Sequence, residues 1–156
     1  MADLRANVKL RKANLDDMLK VLTWQNAPGA RQFCRQPETI SLDDHKVWFE
    51  KKLAARSSQV YIMTESGQDV GMLRLDQITP ESDQYEVSLI VDQHNKGRGI
   101  GKAAVEAAKN LIKSGTILAE VLPANIVSAK LFVALGFKPY EHPDGGQWFY
   151  FQTLKA

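Results

Sequence analysis

The run Lys96-Gly97-Arg98-Gly99-Ile100-Gly101 places three glycines at alternate positions and leads straight into the most regular helical pattern of the chain. From Ile100 the residues Ala103, Ala104, Ala107, Ala108, Leu111 and Ile112 recur at the i, i+3, i+4, i+7 spacing of one helix face. A face built largely of alanine can lie close against a sheet. Ahead of it, the glycines let the backbone approach an anion, the first helical turn leaves N–H groups unpaired, and Lys96, Arg98 and Lys102 add positive charge. The stretch therefore reads as strand, loop and helix with a phosphate site at the junction, or more plainly as a solvated basic turn.

The rest of the chain supplies partners for this unit. Residues 6 to 12 read as a strand, and Asn14 can cap a helix with Asp16 and Asp17 in its first turn that stops before Pro28-Gly29. Ser41-Leu42-Asp43-Asp44 resembles a capping box and opens a second helix to about Arg56, with Val47, Trp48 and Leu53 available for its buried face. Val60 to Thr64 and Val70 to Ile78 read as strands joined by a turn over 65 to 69. In the next strand, 84 to 92, Val87, Leu89 and Val91 alternate with Glu86, Ser88 and Ile90. After the alanine-rich helix come a strand over 116 to 121, a helix over 125 to 135 stopped by Gly136, and strands over 137 to 141 and 147 to 152. The sum is α/β: a mixed sheet with helices on its faces.

With 156 residues and no repeat or linker, residues 1–156 read as one domain, which can bury roughly 70% of its unfolded surface without a disulfide or a metal. A lone cysteine, Cys34, suits a reducing cytoplasm. Twenty Lys and Arg are scattered among eighteen Asp and Glu for a net charge of +2, which argues against nucleic acid as the main partner. The start MADLRANVKLRK lacks the apolar run of a signal peptide, and no segment approaches the ~20 apolar residues of a membrane span.

Three phosphate chemistries compete for the glycine loop. The nucleoside-triphosphatase loop fails, because Lys96 stands at its first glycine and Ala103 at its hydroxyl. A dinucleotide fingerprint matches Gly99-Ile100-Gly101-Lys102-Ala103-Ala104, with Glu120 at about the right distance to hold a ribose, but Asp92 to Arg98 separate it from its strand. For the third, Lys96 to Gly101 resembles the Q/R-x-x-G-x-G/A signature of the GNAT superfamily of N-acetyltransferases, with Lys96 where Gln or Arg is usual. Residues 125 to 137, NIVSAKLFVALGF, are similar to the second motif of that superfamily.

The resemblance covers nearly the whole chain and implies a mostly antiparallel sheet of about seven strands with four helices, whose fourth and fifth strands splay apart. It implies acetyl-coenzyme A as acetyl donor, no metal, a small-molecule amine as acceptor, and a homodimer. Leu89, Ile90 and Val91 would present backbone to the pantetheine arm. Lys96, Gly97, Arg98, Gly99, Ile100, Gly101 and Lys102 would cradle the pyrophosphate, Asn125 and Ser128 would give polar contacts, and Phe132 would pack beside the thioester. Asn125 can equally cap its helix. A carboxylate at the start of the fourth strand makes Glu86 the candidate base, with Tyr85 as its neighbour should the register slip. Relatives have a tyrosine acid where this chain has Phe132, so Tyr140 or His142 serves, or none is needed, since a thiol of pKa ~8.5 leaves tolerably unprotonated. His45 reads as lying on the polar side of its helix.

For the acceptor, residues 24 to 53 with Arg74 loosely resemble the branch acting on nucleotide-linked amino sugars in flagellin-glycan (pseudaminic acid) synthesis. Protein, antibiotic or polyamine acetylation, and a non-catalytic acetyl-coenzyme A sensor, stay open.

Overall fold

The computed structural model describes residues 7–32, 34 and 37–153. They build a seven-stranded sheet in the order β1-β2-β3-β4-β5-β7-β6. The strands are β1 (Val8–Lys12), β2 (Ser58–Glu65), β3 (Gln68–Gln77), β4 (Gln84–Val91), β5 (Gly115–Glu120), β6 (Lys138–Tyr140) and β7 (Trp148–Thr153), and the helices are α1 (Met18–Gln25), α2 (Leu42–Ala54), α3 (Ile100–Lys109) and α4 (Ile126–Ala134). Every strand pairing is antiparallel except β4 with β5. The expected strand start at residue 6 lies outside the described residues.

Two apolar layers flank the sheet. On one face Leu73, Leu75, Val87, Ile117 and Phe149 pack with Ile100, Ala104, Val105 and Ala108 of α3 and with Phe132 of α4. On the other, Val60, Ile62 and Met72 pack with Val21 and Trp24 of α1 and Phe49 of α2. The α3 face includes Val105 as well as the alanines, and the helix ends at Lys109, so Leu111 lies past it and is exposed.

Local chemistry sets the entry to α1. Asn14 Oδ1 accepts from the Asp16 N–H at 2.9 Å, and the Asp17 carboxylate accepts from the Asn14 N–H at 2.9 Å. Asp17 is buried and also takes Arg11 at 2.7 Å, while Arg11 and Lys20 both reach Asp69 on β3. The helix start is thereby tied to two strands. Burial alone would raise the Asp17 carboxyl, but the hydrogen bonds from Arg11 and Asn14 and the charges nearby hold it below its ordinary value.

The turn between β2 and β3 is tighter than a five-residue loop. Ser66 and Gly67 alone connect the strands, both with positive φ, as a two-residue hairpin requires. On α2, Ser41 caps as expected, accepting from Asp44 N–H at 3.1 Å. Its buried face differs: Val47 is 68% exposed, whereas His45 is 1% exposed beside Phe49. The polar imidazole can go inside because its Nε2 reaches the carbonyl of Met18 at 2.8 Å.

Candidate functional site

β4 and β5 share only three residue pairs, Gln84 with Thr116, Tyr85 with Ile117 and Glu86 with Leu118. Beyond these β4 stays with β3 as far as Val91, and β5 stays with β7 as far as Glu120. The two strands therefore open into a V, as expected, and the side of residues 87–91 that faces β5 carries no strand. Backbone amides on such an edge are a template for another extended group. Gly71 of β3 lets this arrangement close up, since a Cβ there would stand 2.4 Å from the carbonyl oxygen of Ile90.

At the open end of the V lies the glycine loop. Gly97 and Gly99 have φ of +79° and +77°, with nothing within 4 Å of a built Cβ, so they serve backbone conformation and not packing. Gly101 is the reverse case: a Cβ there would meet Leu89 at 3.3 Å and Leu131 at 3.4 Å, which is how α3 comes down onto β4 and α4. Gly99 is the N-cap of α3 and supplies no side-chain cap, leaving the N–H groups of the first turn at the positive end of the helix dipole. Lys96 and Lys102 are exposed beside them. Arg98 is tethered instead, to Glu65 at 2.7 Å and Asn95 at 2.9 Å.

On α4, Asn125 Oδ1 accepts from the backbone N–H of Ser128 at 3.2 Å, so the capping role of Asn125 is visible. Phe132 is buried edge-to-face against Phe137, ring centres 5.0 Å apart.

The predicted acid–base candidates are not brought together. Glu86 pairs with Leu118 and Asp76, and with Ser88 it faces the α1–α2 side. Tyr85 points the other way, into the α3–α4 core. Tyr140, at the edge strand β6, shares the face of Glu86 by register through Trp148 and Glu120, but β5 and β7 stand between. Its ring lies 6.1 Å from Tyr150 and 6.2 Å from His142, which stacks on Trp148 at 4.4 Å.

A cavity of about 550 Å³ opens on the Glu86 side of the sheet, between α1, α2, β3 and residues Ser88 to Ile90 of β4. Ile40 lines one wall and is held there by Asn26, whose side chain exchanges two hydrogen bonds with the Ile40 backbone, at 2.8 and 2.9 Å. Arg74 builds another: it stacks 5.1 Å over the Trp48 ring, pairs with Asp76 at 2.6 Å and reaches Ser88 Oγ at 3.4 Å. Burial would raise the Asp76 carboxyl, but the charge of Arg74 and the Ser58 hydroxyl bring it below its ordinary value. Arg31, Glu38, Asp44 and Cys34 also line the space. The stretch 24 to 53 with Arg74, singled out in the sequence, contains Gln25, Asn26, Arg31, Ile40, His45 and Trp48 of this region, but the bonds between Asn26 and Ile40 and the lining carboxylates Glu38 and Asp44 carry no motif. Among the described residues no group of His, Cys, Asp and Glu could hold a metal, and no helix is long and apolar enough to cross a membrane.

The architecture is shared with solved structures. A domain from Methanocaldococcus jannaschii superposes with a TM-score of 0.78 at 22% identity, covering 94% of this chain and 99% of that one. Spermidine N-acetyltransferase from Vibrio cholerae, in complex with CoA and spermine, gives 0.80 at 15% identity over 94% and 95% of the two chains. An aminoglycoside acetyltransferase in complex with coenzyme A gives 0.78 at 18% identity over 94% and 95%. In sequence, an uncharacterized protein of Methanocaldococcus jannaschii is 23% identical over 152 residues, 93% of this chain and 31% of the relative. The chain thus spans about a third of the length of the curated relative it matches. The model of the acetyltransferase (GNAT) domain matches residues 7–138, most of the sequence, and the chain accordingly belongs to that family.

Proposed function

We propose that the chain acetylates the primary amine of a small molecule bound in the cavity beside β4, and that within this class the acceptor is a sugar amine, free or nucleotide-linked. The observation that carries the reading is the V between β4 and β5, which opens toward the uncapped turn of α3 on one side and toward the cavity on the other.

A diphosphate fits the N–H groups of residues 97 to 102, where glycine keeps side chains out and Lys96 and Lys102 supply charge. The free edge of Leu89, Ile90 and Val91 fits an extended amide arm, with Asn125 and Ser128 at the start of α4 as polar contacts and Phe132 as apolar backing. When bound, acetyl-coenzyme A supplies an acyl thioester whose carbonyl can be polarised by a β4 N–H.

An ammonium has no lone pair, so the acceptor must lose a proton before it attacks. Glu86 lies on the same face as Ser88, one residue pair from the cavity, and takes that proton directly or through water. The nitrogen then bonds to the acyl carbon, the carbon–sulfur bond breaks, and the departing thiolate takes up, directly or through water, the second proton that the nitrogen sheds on becoming an amide; neither Tyr85 nor Tyr140 is needed for these steps.

For the acceptor, the charges lining the cavity balance: Arg31 and Arg74 stand against Glu38 and Asp44. A polyamine calls for an excess of carboxylates. A polyhydroxylated amine suits this mixture of donors and acceptors and the aromatic wall of Trp48.

The test is thiol release from acetyl-coenzyme A against glucosamine, nucleotide-linked amino sugars, a peptide amine and spermidine, with Glu86→Gln alongside. Transfer to the sugar amines is expected, with the variant turning over about 10²- to 10⁴-fold more slowly while acetyl-coenzyme A still raises its melting temperature. Transfer to spermidine alone would overturn the acceptor class, and full activity in the variant would overturn the role of Glu86.

A further inference from the structure

The wall of the cavity formed by α1 and α2 contains two hydrogen-bond acceptors with no partner among the described residues: Nδ1 of His45 and Oε1 of Gln25. Buried polar atoms are almost always paired, so two orphans of the same kind in one wall call for a reason. In His45 the proton can be placed. Its Nε2 lies 2.8 Å from the carbonyl oxygen of Met18, and a carbonyl only accepts, so Nε2 carries the hydrogen and Nδ1 presents a lone pair.

The ring is held there firmly. It is 1% exposed, stacked at 5.5 Å on Phe49 and 5.7 Å from the Trp48 ring, which also carries the Arg74 guanidinium at 5.1 Å. Burial also pushes the imidazole pKa down and so favours the neutral ring, against the opposing effect of the Met18 carbonyl. Such an imidazole is a poor sink for the proton of an ammonium and a good acceptor for a neutral O–H or N–H.

We infer that His45 Nδ1, with Gln25 Oε1 in the lining of the same cavity, is the specificity-determining acceptor that reads a hydroxyl or amide donor of the bound amine. The inference rests on the cavity being the acceptor site, as proposed above. It assigns His45 no part in proton transfer. It predicts that the favoured acceptor carries a hydrogen-bond donor besides its reacting nitrogen.

Two substitutions separate this role from a structural one. His45→Gln can keep the donation to Met18 from its own amide but puts no acceptor at the Nδ1 position, whereas His45→Phe fills the space and makes neither bond. Steady-state acetyl transfer to glucosamine and to phenethylamine, which has no second donor, is measured for the wild type and both variants, with coenzyme A affinity followed by thermal shift. Both variants should raise the KM for glucosamine about tenfold, equivalent to 1.4 kcal/mol, while leaving kcat, coenzyme A affinity and the phenethylamine KM unchanged. Unchanged glucosamine KM in a folded His45→Gln overturns the inference and leaves the proposed function standing. Equal losses on both amines, or loss of coenzyme A binding, also overturn it by reducing His45 to a packing residue. Absence of transfer to any amine by the wild type overturns the proposed function, and the inference with it.

Discussion

Replacing Gly71 by alanine would set a methyl carbon 2.4 Å from the carbonyl oxygen of Ile90, 2.9 Å from Met63 Sδ and 3.2 Å from Val91 Cα. Met63 can swing its thioether aside, but the other two atoms are backbone. To reach the 3.4 Å at which ordinary contact begins, the Ile90 carbonyl must retreat by about 1 Å from a strand that is itself paired to β3 along Gly71 to Gln77. Overpacking of this kind costs about 1–3 kcal/mol. For a chain of this size each kcal/mol lowers the melting temperature by roughly 2–4 °C, so a fall of about 2–12 °C is expected. The displaced residues are Ile90 and Val91, the edge proposed to hold the cofactor arm. The KM for acetyl-coenzyme A should therefore rise as well, measured at 15 to 20 °C where the variant is folded. Gly145→Ala is the control: its φ of +81° strains any side chain, by about 1–2 kcal/mol, but a Cβ there meets nothing and the loop is remote from β4. A Gly71→Ala protein with wild-type melting temperature and KM would refute the reasoning, as would an equal KM effect from Gly145→Ala.

Three further outcomes follow from the same geometry. Gly99→Glu brings a carboxylate to the uncapped turn of α3, and the thermal stabilisation given by acetyl-coenzyme A, about 2.7 kcal/mol at a hundredfold excess over Kd in the wild type, should vanish. Glu65→Gln frees Arg98 from its tether and should alter coenzyme A affinity severalfold without moving the KM of the amine, as read by isothermal titration and kinetics. Asp17, Asp69 and Asp76 all titrate below the ordinary carboxylate value of 3.8 in the folded chain. Their stabilisation is present above that pH and is lost as pH falls through the lower folded values. Urea midpoints should hold steady from pH 7 to 5 and drop below about pH 4, and Asp17→Asn should shrink that drop.

The alanine-rich helix, the glycine loop and the capped helix starts were legible because each rests on local spacing or on one side chain bonding its own backbone. The same locality explains the misses. His45 and Val47 exchanged places on α2 because a long-range bond from Met18 can bury an imidazole, and no periodicity reports a carbonyl 27 residues away. Arg98 is read as a phosphate cation from its neighbours in sequence, yet its partner Glu65 lies at the far end of β2. The V between β4 and β5 came from a family resemblance; nothing in the alternation of residues 84 to 91 says where pairing stops. Tyr85 shows the cost of a single step in register, since neighbours in a strand face opposite layers. The cavity was visible only as scattered residues, because its walls come from α1, α2, β3 and β4, spread along the chain from Gln25 to Ile90.

On the reading proposed above, the uncapped amides after Lys96 and the open side of β4 form one continuous seat for an acyl carrier. A crystal structure of the protein with acetyl-coenzyme A measures it directly. Diphosphate oxygens are expected at about 3 Å from backbone nitrogens within residues 97 to 102, with an arm running along Leu89 to Val91 and its thioester toward the cavity. Cofactor bound elsewhere, or β4 and β5 zipped together past Glu86 and Leu118 in the complex, would contradict it.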